Sequence, residues 1–190
     1  MKFITLISIF LFVACAHKPE MKVNHQNIQP GTKVKAGGKE LNLHQGKLKE
    51  GDDFVSIIKN TNDQEIEKKV SIISIVPSID TPVCEEQTHI LGESDIHPNI
   101  ELITISRDLP MAQTRFAKLA KLENITYLSD YKDASFGKKT GLLIKENALL
   151  TRGVIVLDQN GKIHHMQFVD EITELPDMKK AISIANKLVK

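Results

Sequence analysis

Val70-Ser-Ile-Ile-Ser-Ile-Val-Pro-Ser-Ile-Asp-Thr-Pro-Val-Cys84 is the stretch on which the fold turns. Its first seven residues are β-branched or small and carry no charge, the composition of a strand covered on both faces. Pro77 stops that run, because it cannot donate to a ladder. The Pro-Ser-Ile-Asp-Thr-Pro segment is a turn, and the residues from Cys84 to about 91 are expected to be helical. A buried strand passing through a turn into a helix is half of a parallel crossover unit.

The rest of the pattern is read outward from this centre. Residues 100–106 are a second apolar run, and residues 110–122 read as a helix with Pro110 in its first turn. Residues 153–157 and 162–168 flank Asp158-Gln-Asn-Gly161, whose Asn-Gly pair suits a two-residue hairpin turn at positive φ. Residues 176–189 place Met178, Ala181, Ile182, Ala185, Leu188 and Val189 near a period of 3.6. On the N-terminal side, residues 39–48 are expected to form a short antiparallel pair and residues 53–59 a strand. The sum is an α/β fold of thioredoxin-like order, βαβ followed by ββα. A central mixed sheet is flanked by helices and preceded by an N-terminal hairpin.

Composition excludes several classes. With 25 basic and 24 acidic side chains among 190 residues the net charge is +1, so no summed field recruits nucleic acid. Aromatic residues make up 5% and there is no Trp, which leaves no base-stacking platform.

The first fifteen residues are of another kind. Lys2 precedes an apolar stretch of residues 3–14, and small Ala14 sits directly before Cys15. Twelve helical residues span about 18 Å, short of a bilayer core of roughly 30 Å. Phe12-Val-Ala-Cys15 resembles the lipobox of bacterial lipoproteins, with Phe12 where Leu is usual. The resemblance implies a signal peptide over residues 1–14, lipidation of Cys15, and a protein facing an extracytoplasmic compartment of the bacterial cell envelope. Residues 15–35 mix Lys, Asn, Gln, Pro and Gly without an apolar period, and are expected to be a flexible spacer. Residues 36–190 are then the folded domain.

Cys15 and Cys84 are the two cysteines of the chain, and their different surroundings point to two separate functions, with a single disulfide between them as the plain alternative for an exported protein. Cys84 falls in the first turn of its helix, where free backbone N–H groups and the helix dipole favour a negative sulfur, the form that attacks electrophiles. Thr81 can bring a hydroxyl beside that sulfur, and Pro77 and Pro82 stiffen the loop. A buried packing cysteine is the plain alternative.

Pro77-x-x-x-Thr81-x-x-Cys84 matches the peroxiredoxin active-site motif, and Val76-Pro-Ser-Ile-Asp-Thr-Pro-Val-Cys-Glu-Glu-Gln-Thr88 closely resembles the thiol peroxidase branch of that family. The resemblance continues through residues 105–116, 151–158 and 169–177. It implies that Cys84 attacks a hydroperoxide, that Thr81, Pro77 and Arg152 shape the site, and that no cofactor or metal takes part. Arg107 and Arg115 are weaker candidates for the arginine. It also implies a homodimer.

One position departs from the family. A resolving cysteine usually follows the Arg-Phe pair on the helix after Ser-Arg-Asp-Leu-Pro, and here Arg115-Phe116 is followed by Ala117. The expected chemistry is therefore a one-cysteine cycle, in which an external thiol, small or thioredoxin-like, reduces the Cys84 sulfenic acid. Substrates would be hydrogen peroxide and organic hydroperoxides. The alternative is a redox-sensing or binding lipoprotein on the same scaffold that does not turn over. Dithiol exchange is not open to Thr81-Pro-Val-Cys84, which lacks the first cysteine of Cys-x-x-Cys. His164 and His165 are adjacent on a strand and point to opposite faces, so they cannot share a metal.

Overall fold

The computed structural model describes residues 21–62 and 65–189. Cys15 and the apolar leader lie outside the described residues. In chain order the elements are β1 (Lys33–Ala36), β2 (Lys39–Asn42), α1 (Phe54–Asn62), β3 (Ser71–Ile75), α2 (Pro82–Glu93), β4 (Glu101–Ser106), α3 (Pro110–Ala120), β5 (Thr126–Ser129), α4 (Ser135–Thr140), β6 (Gly153–Leu157), β7 (Ile163–Phe168) and α5 (Met178–Leu188).

Five strands form a mixed sheet in the order β5-β4-β3-β6-β7. β3 runs parallel to β4, β4 parallel to β5, and β6 is antiparallel to both β3 and β7. β3 lies at the centre with all five residues buried. Alternation along the strands divides the interior into two layers. Ile73, Ile75, Ile103, Ile105, Ile155 and Leu157 face Phe54 and Ile58 of α1 and Phe136 of α4. Ile72, Val154 and Val156 face Leu91 of α2 and Met178, Ala181 and Ala185 of α5. Phe54 and Phe136 meet edge to face at 5.9 Å, a geometry worth about 0.5–1.5 kcal/mol beyond burial.

The thioredoxin-like expectation is met in the order and pairing of the central elements, and three local expectations are corrected. Residues 53–59 are helical, not a strand. Phe54, Ile58 and half-buried Val55 and Ile57 lie on the core side of α1, and the N–H and hydroxyl of Ser56 both donate to the Asp53 carboxylate, which starts the helix. The N-terminal hairpin pairs β1 with β2 through a Gly37-Gly38 turn at positive φ, upstream of the 39–48 pair expected from sequence.

The third correction concerns residues 21–35, expected to be a flexible spacer. They are tied along the outer edge of β7. The Ile28 N–H donates to the Phe168 carbonyl at 2.9 Å, Asn27 exchanges side-chain bonds with the Met166 carbonyl and the Phe168 N–H, and Val23 pairs with Leu175. The segment lacks an apolar period because its attachment runs through backbone groups and amide side chains. An edge strand needs such partners for its unpaired N–H and C=O groups.

Candidate active site

The register of the sheet decides what meets at the end of β3. Ile75 pairs with Gly153 in the antiparallel β3–β6 ladder, so Arg152, one residue before β6, arrives opposite Val76, one residue past β3. From there the chain passes through buried Pro77 and a turn to α2, whose first turn contains Cys84. Residues 68 apart in sequence are thus brought into contact: Arg152 Nη2 lies 3.1 Å from Cys84 Sγ.

Both groups are deeply buried. Cys84 is 0% exposed and Arg152 2%, so the guanidinium requires a full set of acceptors. Its Nε donates to the Ile172 carbonyl at 2.7 Å, and Nη1 donates to Gln87 Oε1 at 2.8 Å and more distantly to the Val83 carbonyl at 3.4 Å. Burial pulls the Arg152 pKa below its ordinary value, and the facing Cys84 sulfur opposes that drop. A guanidinium starts so far above neutrality that it stays charged. The fork therefore presents a fixed positive charge to the sulfur, in a setting where water screens it little.

Gln87 was not singled out by the sequence reading. Its Nε2 donates to Ser74 Oγ at 2.8 Å and to the Gly153 carbonyl at 3.0 Å, so its oxygen is held toward Arg152. A sequence signal existed. Cys84, Gln87, Thr88 and Leu91 follow the i, i+3, i+4, i+7 spacing of a buried helical stripe, and two of the four are polar. Thr88 satisfies its hydroxyl on the Cys84 carbonyl at 2.8 Å.

Asp108 was missed as well. Its carboxylate accepts from the Ser78 hydroxyl at 2.7 Å and from the Ile79 N–H at 2.8 Å, pinning the turn that precedes Cys84 to the end of β4. Ile79 and Val76 pack on Cys84 together with half-buried Phe116 of α3. Ile79 and Phe116 also wall a neighbouring groove of about 380 Å³ that includes Arg115 and Leu119. Cys84 does not line that groove.

Of the residues expected at the site, Cys84 and Arg152 are brought together, and Pro77 is buried at the start of the turn between β3 and α2. Thr81 is placed differently. It caps α2 through its carbonyl, which accepts from the Glu85 N–H at 2.9 Å, while its exposed hydroxyl donates to the Ser78 carbonyl at 3.4 Å and not to the sulfur. Arg107 is directed away, its Nε donating to the Ala148 carbonyl at 3.1 Å. His164 is exposed and His165 half-buried, as their places on β7 require.

A thioredoxin-like sheet with a cysteine and a buried arginine meeting at the end of its central strand defines a class of thiol-reactive proteins, and comparison with known proteins supplies the rest. The redoxin family profile matches residues 45–182. Thiol peroxidase of Clostridium acetobutylicum is 39% identical over 166 residues, covering 80% of this chain and 97% of its own. Thiol peroxidase of Bacillus subtilis is 43% identical over 127 residues, covering 66% and 76%. Among solved structures, a peroxiredoxin-like protein from Aquifex aeolicus superimposes with a TM-score of 0.72 at 31% identity, covering 85% of this chain and 100% of its own. The chain belongs to the redoxin family, in its thiol peroxidase branch.

Proposed function

We propose that this protein is a thiol-dependent peroxidase in which Cys84 reduces hydrogen peroxide and organic hydroperoxides through a one-cysteine cycle. The observation that carries the reading is the 3.1 Å contact between the buried Arg152 guanidinium and the Cys84 sulfur. That contact places a cation beside the attacking sulfur and where the peroxide's leaving oxygen gathers negative charge.

The Cys84 thiolate attacks one peroxide oxygen. An S–O bond forms as the O–O bond breaks, and the second oxygen leaves with a proton as water or an alcohol. The sulfur is oxidised to sulfenic acid and the peroxide is reduced. An external thiol then condenses with the sulfenic acid, releasing water and leaving a mixed disulfide, and a second thiol displaces Cys84 as the reduced thiol. Ala117 stands where resembling thiol peroxidases carry the resolving cysteine, and Cys84 is a buried free cysteine. Both facts favour an external reductant. Because Cys84 is fully covered, peroxide enters by displacement of the exposed turn around Asp80, Thr81 and Pro82.

The proposal extends to location. Cys15, in its lipobox-like setting, carries a lipid that tethers the protein outside the cytoplasm, and the domain acts as a homodimer.

The test is peroxide consumption by the purified protein with dithiothreitol, glutathione and a thioredoxin system supplied separately, and Cys84→Ser alongside. Turnover that persists beyond one equivalent and disappears in Cys84→Ser is expected. Oxidation that halts at one equivalent with every reductant would favour a sensing or binding role, and an unreactive Cys84 would end the peroxidase reading.

A further inference from the structure

The Arg152 fork depends on a carbonyl in the loop after β7, and that loop is held from two sides. On one side the β1–β2 hairpin grips it: the Lys35 N–H donates to the Asp170 carbonyl at 2.6 Å, the Ile172 N–H donates to the Lys35 carbonyl at 2.9 Å, and the N–H groups of Gly37 and Gly38 donate to the Glu171 carboxylate. On the other side lies the segment before β1. The Asn24 N–H donates to the Leu175 carbonyl at 2.7 Å and the Leu175 N–H to the Lys22 carbonyl at 2.9 Å. Asn24 is 6% exposed, and its Nδ2 donates at 2.8 Å to both Asp170 Oδ1 and Glu174 Oε2. One amide thus bridges the two ends of the loop, with Ile172 at its middle.

We infer that Asn24 is a positioning residue for the active site: it clasps residues 170–174 so that the Ile172 carbonyl holds Arg152 against Cys84. The inference rests on Cys84 being the reactive thiol, and it gives the N-terminal segment a task beyond the proposed tether. Asn24 suits the position because a neutral amide donates two hydrogens, and so satisfies two carboxylates that would otherwise repel each other. The Lys22–Glu174 ion pair and the Lys35–Asp170 pair at 3.7 Å supply compensating charge at the rim. The Gln167 side chain completes the clasp by donating to the Asn24 carbonyl at 2.7 Å and the Gln26 carbonyl at 3.1 Å, while its Oε1 accepts from the Asp177 N–H. When the clasp opens, the Ile172 carbonyl drifts, Arg152 loses its Nε partner, and the guanidinium no longer has a fixed orientation toward the sulfur.

The experiment compares the full-length protein with Asn24→Ala, Asn24→Asp and the triple variant Asn24→Asp, Asp170→Asn, Glu174→Gln. The triple variant restores both hydrogen bonds with donor and acceptor exchanged. Two readouts are used, the stopped-flow rate of Cys84 oxidation by hydrogen peroxide and the pH profile of Cys84 alkylation by iodoacetamide. Asp53→Ala, which removes the α1 cap at the far end of β7, is the control for a general loss of stability. In Asn24→Ala and Asn24→Asp the oxidation rate is expected to fall about fivefold or more, from loss of charge-assisted orientation, and the pH profile of alkylation to differ from that of the starting protein. The triple variant is expected to return both readouts to within about twofold of the starting protein, as recovery of the paired bonds requires. Should Asn24→Asp not fold, Asn24→Ala carries the comparison, since it removes the bonds without adding charge.

Unchanged rate and profile in the Asn24 variants, equal shifts in Asp53→Ala, or failure of the triple variant to recover would each overturn the inference. A protein whose Cys84 does not reduce peroxide would sink the peroxidase reading alone, because alkylation reports the Arg152–Cys84 contact without peroxide.

Discussion

Arg152 is the residue on which the proposed chemistry converges, because its three guanidinium nitrogens are committed to the Ile172 carbonyl, Gln87 and the Cys84 sulfur. A lysine keeps the charge but has no planar fork, so it cannot meet acceptors in three fixed directions at once. Arg152→Lys should lower the rate of Cys84 oxidation by about 100-fold or more, the scale seen when a pre-aligned donor is removed from a charge-developing site. Stopped-flow oxidation by hydrogen peroxide, with Arg152→Lys shown to be folded by circular dichroism, checks this; a loss of less than fivefold would make the fork dispensable. At this scale Cys84 and Arg152 were legible from their flanking motifs. Thr81 was read correctly as a turn residue, but its hydroxyl direction was not, since a side chain's rotamer depends on which acceptor the folded turn offers. Gln87 and Asp108 went unread because their partners, Arg152 and the 78–79 turn, lie 65 and about 30 positions away in sequence.

Among the elements, the buried strands β3, β4 and β6 and the helices α2, α3 and α5 were readable because each carries its own periodic or apolar pattern. α1 was not. Asp53-Phe-Val-Ser-Ile-Ile-Lys59 is a β-branched run short enough to suit a strand, and its helical state is selected by packing of Phe54 and Ile58 under the sheet together with the Asp53 cap. That cap carries a pH-dependent prediction. Bonds from the Ser56 N–H and hydroxyl hold the Asp53 pKa below its ordinary value of 3.8. A depressed folded-state pKa contributes stability that is present above the unfolded value and is lost as pH falls through the folded value. Asp53→Ala should therefore cost about 0.5–2 kcal/mol at neutral pH, and the gap should close as the pH is lowered from about 4 through the folded pKa. Urea melts of both proteins across that range test it. A gap that persists unchanged when the carboxyl is protonated would show that the capping bonds are not its source. β5 and α4 also went unread, since four and six residues are too few for a period to declare itself.

At the scale of the whole molecule, the N-terminal segment changes the picture most. Residues 21–35 complete the edge of β7 and clasp the loop behind Arg152, so any tether at Cys15 joins the folded part within a few residues. The chain from Cys15 to Met21 reaches at most about 21 Å, which would hold a lipid-anchored domain close to the bilayer. Expressed in a bacterial host that processes lipoproteins, the protein should sediment with membranes and be released by detergent, and Cys15→Ser should move it to the soluble extracytoplasmic or unprocessed pool. Absence of labelled palmitate from the starting protein would exclude the lipid anchor. The sequence by itself determined the α/β class, the strand-turn-helix that carries Cys84, the family resemblance and the alanine at position 117 after Arg115-Phe116, because these reside in local composition and contiguous motifs. Only the tertiary structure decided that Ile75 lies opposite Gly153, that Gln87 and the Ile172 carbonyl aim Arg152, and that a polar N-terminal stretch is part of the fold. Those outcomes depend on register and on hydrogen bonds between residues distant in the chain; a local pattern can mark a residue as inward-facing, as the buried stripe does for Gln87, but it does not name the partner.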